Sequence, residues 1–314
     1  MQVQHGFHDA SAYRRGRLSI GNFDGVHRGH QRMLRALVES ARQGGVPAVA
    51  LTFEPHPLNL VAPDRAPARL TTPARKAELI AACGVDCLIQ YPTDPALLNL
   101  TAREFFDRIV LAEIGATGIV EGPNFCFGRG RAGTIDVLRD FCSAAQLPLT
   151  VVEAVATGGT PVSSSSIRQA IVDGRLADAV EMLGHPYRLT GQVARGAGRG
   201  VALGFGTANL EQIATLLPAD GVYAGVAEFN GARYAAAVHC GPNPTFGEGA
   251  RKIETHLIDY SGQPLYDREL SVDLVGRIRG TRRFSGVDEL RSQLSQDVRK
   301  AVETVQPFLR GDLL

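Results

Sequence analysis

The sequence predicts an α/β protein of two domains: an N-terminal domain built on a parallel β-sheet, and a small antiparallel β-barrel closed by a C-terminal helix. Between residues 17 and 155, short apolar runs alternate with amphipathic segments, which is typical of a parallel sheet covered by helices on both faces. After residue 185 glycine becomes dense and short alternating runs follow, which favours antiparallel strands. We therefore expect the domains to span residues 1–185 and 186–314.

In the first domain the apolar runs predict strands, and the segments of helical period predict helices. Strands are expected at 18–20, 46–53, 86–91, 117–121 and 148–154, and helices at 28–43, 73–83, 101–113 and 134–145. Thr101 and Glu104 have the spacing of a capping box, which supports a helix start at that point. A further helical segment is expected at 163–183, broken near Asp173 and Gly174.

The second domain is predicted to contain short antiparallel strands. They are expected at 222–229, 232–240, 252–259 and 269–279. Asn230-Gly231, between the first two, is a strong hairpin signal because both residues accept a left-handed backbone. The final segment of about 25 residues has the period of one amphipathic helix, which is placed to close the barrel.

Composition excludes several classes of protein. The chain has 314 residues, 44% of them hydrophobic and 21% charged, with a net charge of +1, so neither a nucleic-acid partner nor a membrane partner is expected. It has no apolar run long enough to span a membrane, and residues 1–20 lack the apolar core of a signal peptide. The five cysteines are odd in number and scattered, which fits a reducing cytoplasm. The oligomeric state stays open.

The segment from Gly21 to Gln31 contains the clearest functional signal. It lies between an apolar run and a helical segment, and His27 and His30 stand where that helix begins, with Gly29 between them. A helix N-terminus offers free N–H groups and a positive dipole end to a phosphate, and imidazoles can donate hydrogen bonds to phosphate oxygens. Two interpretations follow from these residues alone: a tight turn with two surface histidines, or a nucleotide phosphate site.

His27-Arg28-Gly29-His30 resembles the H-x-G-H signature of nucleotidylyltransferases. The longer string G-N-F-D-G-V-H-R-G-H-Q resembles the adenylyltransferase half of the bacterial bifunctional riboflavin kinase/FMN adenylyltransferases, the prokaryotic FAD synthetases. Segments 53–57, 121–128 and 162–168 match that family in the same order. Taken alone, the serines at 163–166 are equally an N-cap cluster.

This resemblance implies a Rossmann-like nucleotidylyltransferase domain and a set of site residues. The set comprises catalytic His27, His30 and Arg168, nucleotide- or phosphate-binding Gly21, Asn22, Phe23, Asp24, Gly29, Ser164 and Ser165, and flavin-binding Asn124 and Phe125.

The second half resembles the riboflavin kinase domain of the same family, through segments 203–210, 221–224, 241–246 and 253–257. The resemblance implies that Thr207 and Asn209 bind Mg²⁺ and ATP phosphates, and that Glu254 takes the proton of the attacking ribityl hydroxyl. Without the resemblance, these three residues are ordinary turn and strand residues.

Some positions depart from the family pattern. Gly206 stands where the family usually has proline, Ala197 and Val201 replace an acidic residue and an arginine, and Thr281 replaces a glutamate. A glycine in place of proline leaves the adjoining loop with more backbone entropy to lose on ordering. None of these changes removes Thr207, Asn209 or Glu254.

Together the resemblances imply a cytoplasmic enzyme that phosphorylates riboflavin to FMN and adenylylates FMN to FAD. Riboflavin, FMN and ATP are the implied small-molecule partners, and Mg²⁺ is the implied cofactor. Three alternatives stay open: an FMN adenylyltransferase with a decayed kinase domain, a flavin-binding protein without catalysis, and a nucleotidylyltransferase for another phosphate substrate.

Overall fold

The computed structural model of this chain describes residues 1–195, 200, 204–243 and 248–309. The chain divides into a first unit, Met1–Val162, and a second unit, Ser163–Leu314. Parts of the predicted motifs lie outside the described residues, namely Ala197, Val201, Leu203 and segment 244–246.

The first unit is built on a six-stranded parallel sheet of order β1-β4-β3-β2-β5-β6. Its strands are β1 (Gln2–His5), β2 (Arg17–Ile20), β3 (Ala48–Glu54), β4 (Cys87–Pro92), β5 (Gly118–Glu121) and β6 (Leu149–Val151). In the centre Leu18 lies opposite both Val49 and Ile119, and all three are buried. A parallel strand buried on both faces needs an apolar run rather than an alternation, which is what β3 and β4 supply.

Helices cover this sheet and begin at the residues that cap them. They are α1 (Arg28–Gly44), α2 (Leu58–Val61), α3 (Pro73–Ala82), α4 (Pro95–Leu98), α5 (Ala102–Phe105), which continues as a π-helix over Phe106–Glu113, and α6 (Ile135–Ala144). The side chains of Thr72, Thr101 and Thr134 accept a backbone N–H at the starts of α3, α5 and α6. Between β6 and the second unit lies a two-stranded ribbon, β7 (Ala156–Thr157) with β8 (Thr160–Pro161).

The strand order creates a crevice between the carboxyl ends of β2 and β5. From β2 the chain builds outward through β3 and β4 on one side, whereas β5 and β6 lie on the other. In such sheets ligands bind where the order reverses. Residues 21–27, which we name the signature loop, follow β2 directly, and the segment 122–128 follows β5.

The second unit contains a closed antiparallel barrel of order β10-β13-β12-β11-β14-β9, in which β9 also pairs with β10. Its elements are α7 (Ser164–Val172), α8 (Leu176–Leu183), β9 (Tyr187–Ala194), β10 (Ala208–Glu211), β11 (Gly221–Phe229), β12 (Ala232–Asn243), β13 (Glu248–Leu257), β14 (Glu269–Arg279) and α9 (Val287–Leu309). The predicted fold class is confirmed: a parallel α/β domain, and an antiparallel barrel followed by a long C-terminal helix.

Alternation along the strands divides the barrel side chains between two faces. Ala224 and Val226 on β11 form a cluster with Ala301 and Val305 of α9. Tyr223, the residue before Ala224, points to the other face and is fully buried. Helix α9 therefore covers one side of the barrel wall and shields it from water.

Helices α7 and α8 pack with the barrel in the second unit. Helix α8 contacts β9 and β14, and it buries Leu176, Ala179, Met182 and Leu183. The backbone N–H of Ala219 donates to the carbonyl of Ile171 at the end of α7. The division into units thus falls 23 residues before the boundary that we predict at 185, a boundary that stays a prediction.

This packing predicts the behaviour of fragments. A fragment that begins at Ser163 should unfold cooperatively and at a higher urea concentration than one that begins at Tyr187, because the shorter fragment loses the apolar face of α8. Circular dichroism during urea titration of both fragments measures the difference. Equal midpoints would contradict a stabilising role of α7 and α8, and a shorter fragment without a cooperative transition would contradict the boundary at 185.

Candidate functional site

The imidazole of His27 caps helix α1. His27 has an extended backbone and its Nδ1 accepts a hydrogen bond from the backbone N–H of His30 at 3.3 Å. An imidazole nitrogen that accepts cannot carry a proton, so a neutral His27 has its proton on Nε2. The cap therefore fixes the tautomer and leaves an N–H donor on the ring, at the positive end of a 17-residue helix.

The two histidines form a stacked pair. Their ring centroids are 3.6 Å apart with an interplanar angle of 16°, and Phe23 packs edge-on against His30 at 5.4 Å. Gly29 makes this stacking possible, because a Cβ atom at that position would lie 3.2 Å from the His27 ring. The H-x-G-H spacing thus has a steric reason: the glycine gives the first imidazole room to cap the helix and lie over the second.

His30 is held as a neutral imidazole. Burial lowers its pKa well below 6.5, and the neighbouring His27 and Lys76 lower the pKa further. Its Nδ1 is buried and accepts or donates no hydrogen bond within the described residues. His30 therefore presents a neutral ring with one N–H and one acceptor nitrogen, and a bound anion would favour its charged form.

Asp24 fastens the signature loop to the segment before α3. Its carboxylate accepts hydrogen bonds from the backbone N–H groups of Leu70, at 3.0 Å, and Thr71, at 3.1 Å. The Thr71 hydroxyl donates to the same carboxylate and accepts from the N–H of Gly25, both at 3.1 Å. Asp24 is 8% exposed, so these contacts are shielded from water and hold the loop in one conformation.

The backbone of the signature loop is strained at two bulky residues. Phe23 and Val26 have φ angles of 46° and 36°, in the left-handed region that side chains with a Cβ rarely adopt, and both are fully buried. Such conformations persist where the surroundings over-determine them, and they are common at functional sites. The buried Phe23 ring packs against His30, and the predicted nucleotide-binding role of Phe23 stays a prediction.

A second loop joins the signature loop through Asn22. The Asn22 side-chain amide lies 3.0 Å from His56 Nε2, and the Thr52 hydroxyl donates to the Asn22 carbonyl at 3.2 Å. The N–H of Leu58 donates to the other nitrogen of the His56 ring at 3.1 Å. The structure thus brings the predicted 53–57 segment to the signature loop.

The predicted flavin contacts follow β5. Asn124 is exposed, and the Phe125 ring is half-buried and stacks on Phe127 with centroids 5.4 Å apart. Both residues stand after the carboxyl end of β5, on the crevice side. Their flavin-binding role stays a prediction.

The serine cluster begins helix α7 of the second unit. The Ser163 hydroxyl accepts from the N–H of Ser166 at 3.1 Å, which makes Ser163 the N-cap residue. Ser164, Ser165 and Arg168 lie within the first two turns of this helix. Their predicted nucleotide-binding and catalytic roles are not tested by the arrangement of the second unit alone.

In the barrel, strand register brings the predicted kinase residues together. Asn209 on β10 lies directly opposite Glu254 on β13, and Thr207 comes just before β10. Directly opposite residues of an antiparallel pair have Cβ atoms about 5 Å apart on one face. Since Leu210 and Thr255 are buried on the other face, Asn209 and Glu254 stand on the outer face of the barrel.

Two histidines to which no role is assigned from the sequence border this pair. His239 on β12 lies opposite Glu254 on its other side, and its Nε2 donates to the Pro242 carbonyl at 3.2 Å. The Nδ1 of His256 donates to the Gly206 carbonyl at 2.8 Å and so fixes the residue before Thr207. Among the described residues, no group of three or more His, Cys, Asp or Glu side chains forms a metal cluster.

Comparison with known proteins decides the family. The family model described as FAD synthetase matches residues 10–166, and the model described as riboflavin kinase matches residues 183–305. The bifunctional riboflavin kinase/FMN adenylyltransferase of Escherichia coli strain K12 is 37% identical over 281 residues, which cover 89% of this chain and 90% of the relative. The chain belongs to the bifunctional riboflavin kinase/FMN adenylyltransferase family.

Other relatives span nearly the whole chain. The family member of Pseudomonas fluorescens is 35% identical over 98% of this chain and 99% of its own length. The crystal structure of a macrolide-efflux protein from Streptococcus pneumoniae superposes with a TM-score of 0.83 and is 29% identical, covering 96% of this chain and 99% of that one. None of the helices in the described part of this chain is long and apolar enough to cross a membrane.

Other residues around the first of the family's two sites are absent from its sequence signature. Thr71 and Lys76 lie about 45 residues beyond the signature loop, and only folding places them beside it. A threonine at 71 or 72 before an expected helix start signals a cap, which is the role of Thr72 but not of Thr71. One sequence signal could have identified Lys76: it is a single lysine on the otherwise apolar face of the helix expected at 73–83.

The lowered pKa of His30 predicts a pH dependence of stability. Below pH 6.5 the unfolded chain protonates this imidazole while the folded protein does not, so stability falls as pH falls. Between pH 7.5 and 5.5, the free energy of unfolding should fall by about 1 kcal/mol less in His30→Gln than in wild type. Urea unfolding at both pH values measures it, with His5→Gln, an exposed histidine of the same unit, as control. An equal loss in wild type and His30→Gln would contradict a neutral His30.

Proposed function

We propose that the chain phosphorylates riboflavin to FMN at the Asn209–Glu254 pair, and adenylylates FMN to FAD at the signature loop. The observation that carries this proposal is the stacked histidine pair at a helix N-terminus, His27 over His30, in a chain that also matches the riboflavin kinase model. The five cysteines are unpaired, which supports a cytoplasmic location.

Adenylylation needs alignment and charge neutralisation rather than a covalent intermediate. A phosphate oxygen of FMN attacks the α-phosphorus of ATP, a new P–O bond forms, and the bond to the β-phosphate breaks to release pyrophosphate. The His27 Nε2–H, the ring N–H of His30 and the N-terminus of α1 donate to phosphate oxygens as charge shifts towards the leaving group. The family resemblance also assigns Ser164, Ser165 and Arg168 to phosphate binding, and hydroxyls and a guanidinium are suitable donors to phosphate oxygens.

Phosphorylation of riboflavin needs a base and a way to hold the triphosphate. The Glu254 carboxylate accepts the proton of the ribityl 5′-hydroxyl as its oxygen attacks the γ-phosphorus and ADP leaves. The Thr207 hydroxyl and the Asn209 amide oxygen would hold Mg²⁺, and oxygen donors next to a carboxylate fit such a hard ion. When bound, the ion supplies positive charge that neutralises the phosphates.

The alternatives make different products. Incubation of the full chain with Mg-ATP and riboflavin, followed by chromatography, should give FMN and then FAD. FAD from FMN but no product from riboflavin would indicate a decayed kinase, and no product from either flavin would indicate a flavin-binding protein. The riboflavin kinase match argues against another phosphate substrate, because it supplies the FMN.

His30→Ala should lower FAD formation by about 10²–10³-fold and leave riboflavin phosphorylation unchanged, because a donor to the shifting phosphate charge is lost in one site only. Initial rates of both reactions measure it. His8→Ala, which removes an exposed histidine of the same unit, serves as control and should change neither rate. Equal loss of both activities in a folded His30→Ala protein would contradict the assignment of two separate sites.

Glu254→Gln should lower FMN formation by about 10²–10⁴-fold, the range of a lost general base, and leave FMN adenylylation unchanged. Steady-state rates of FMN formation measure it, and Glu211→Gln on the neighbouring strand β10 is the matched control because Glu211 is exposed. A Glu254→Gln enzyme as fast as wild type would make Glu254 a structural strand residue.

A further inference from the structure

Lys76 is a buried cation in a chain that rarely uses lysine. Only three of the 33 lysine and arginine residues are lysines, and they are Lys76, Lys252 and Lys300. Lys76 lies one turn into α3 and is 6% exposed. A buried ammonium group costs several kcal/mol unless an anion or hydrogen-bond acceptors compensate it.

The carboxylates around Lys76 are already engaged elsewhere. Glu54 forms an ion pair with Arg69, and Asp24 accepts the hydrogen bonds of Leu70 and Thr71 described above. Within the first unit, all of which the structure describes, the Lys76 ammonium group has no carboxylate oxygen within 4.0 Å and makes no hydrogen bond, whereas the backbone N–H of Lys76 donates to the Thr72 carbonyl. Burial lowers the pKa of Lys76, and the more distant Asp24 and Glu54 only partly oppose this.

Lys76 is held close to the stacked histidines. The segment that leads into α3 is hydrogen-bonded to the signature loop, and the positive charge of Lys76 is one cause of the lowered pKa of His30. The bonds from Asp24 to Leu70 and Thr71 tie the signature loop to the residues that lead into α3. The same clasp therefore fixes the N-terminal turns of α1 and α3 relative to each other.

We propose that Lys76 is a substrate-binding residue of the adenylylation site, where its ammonium group binds the phosphate groups of the bound nucleotide beside His30. The inference rests on the proposed adenylyltransferase function. Phosphate suits this arrangement, because a buried cation without a carboxylate partner within 4.0 Å and a neutral imidazole at a helix N-terminus belong to two segments that Asp24 ties together. Lysine suits the position as a compact point charge, whereas a guanidinium would need more room.

The test compares Lys76→Met, which keeps the length of the side chain and removes its charge, with Lys300→Met, which removes an exposed lysine of α9. In Lys76→Met, the KM for ATP or for FMN in FAD formation should rise on the order of 10- to 100-fold. If Lys76 binds the β- and γ-phosphates of ATP, pyrophosphate should inhibit Lys76→Met more weakly than wild type. If only the KM for FMN rises, Lys76 binds the phosphate of FMN instead. Inhibition by adenosine, which has no phosphate, should not change.

The stability of Lys76→Met separates a substrate-binding role from a structural one. Removal of an uncompensated buried charge should leave the thermal midpoint unchanged or raised, while a structural ammonium group would lower it. Unchanged ATP, FMN and pyrophosphate constants in folded Lys76→Met would overturn the inference. Should that variant not fold, Lys76→Gln is measured in the same way and judged by the same constants.

Two further measurements, riboflavin phosphorylation and FAD formation by wild type, distinguish failure of the proposed adenylyltransferase function from failure of the Lys76 inference. Wild type that makes no FAD from FMN and ATP overturns the proposed adenylyltransferase function and the Lys76 inference with it. Wild type that makes FAD, with Lys76→Met at the same KM values, overturns the Lys76 inference alone. Phosphorylation of riboflavin should be equal in wild type, Lys76→Met and Lys300→Met, because that site lies in the second unit.

Discussion

The Asp24 carboxylate is the constraint on which the first site depends. Its hydrogen bonds to Leu70 and Thr71 are made at 8% exposure, so little water competes for them. They hold the signature loop in a conformation that places Phe23 and Val26 in the left-handed region. Without the clasp, the loop would relax that strain and the His27 cap would no longer be fixed over α1.

The two sites are built by different devices. The first uses a helix terminus, where His27 supplies both the cap and, through its remaining nitrogen, a donor. The second uses strand register, which sets Asn209 and Glu254 face to face across two paired strands. A helix N-terminus positions hydrogen-bond donors for an anion, which adenylylation needs. Two residues that face each other across paired strands position their side chains for one small ligand, which phosphorylation of riboflavin needs.

The sequence predicts the core elements well, because burial on both faces leaves long apolar runs such as β3 and β4. It misses β1, whose four residues include two glutamines and a histidine at the sheet edge. It also misses β9 and β10, which border a stretch dense in glycine where alternation is weak. The helix predicted at 101–113 is found as α5 and a π-helix, a difference that side-chain period does not reveal.

The same limit applies to the sites. His27 and His30 are local in sequence and could be predicted with their helix, but Thr71 and Lys76 join them only through tertiary contacts. In the barrel, the individual residues are predicted by resemblance, whereas their pairing follows from a register that the glycine-rich sequence does not specify.

That register has a consequence for how the second unit becomes active. Strand β10 has four residues, and only pairing with both β9 and β13 holds it in place. A slip of one residue would turn Asn209 into the barrel and bring Ala208 or Leu210 opposite Glu254. The Asn209–Glu254 pair therefore exists only while β10 is paired in this register with β13, and a barrel opened at this seam would lack it.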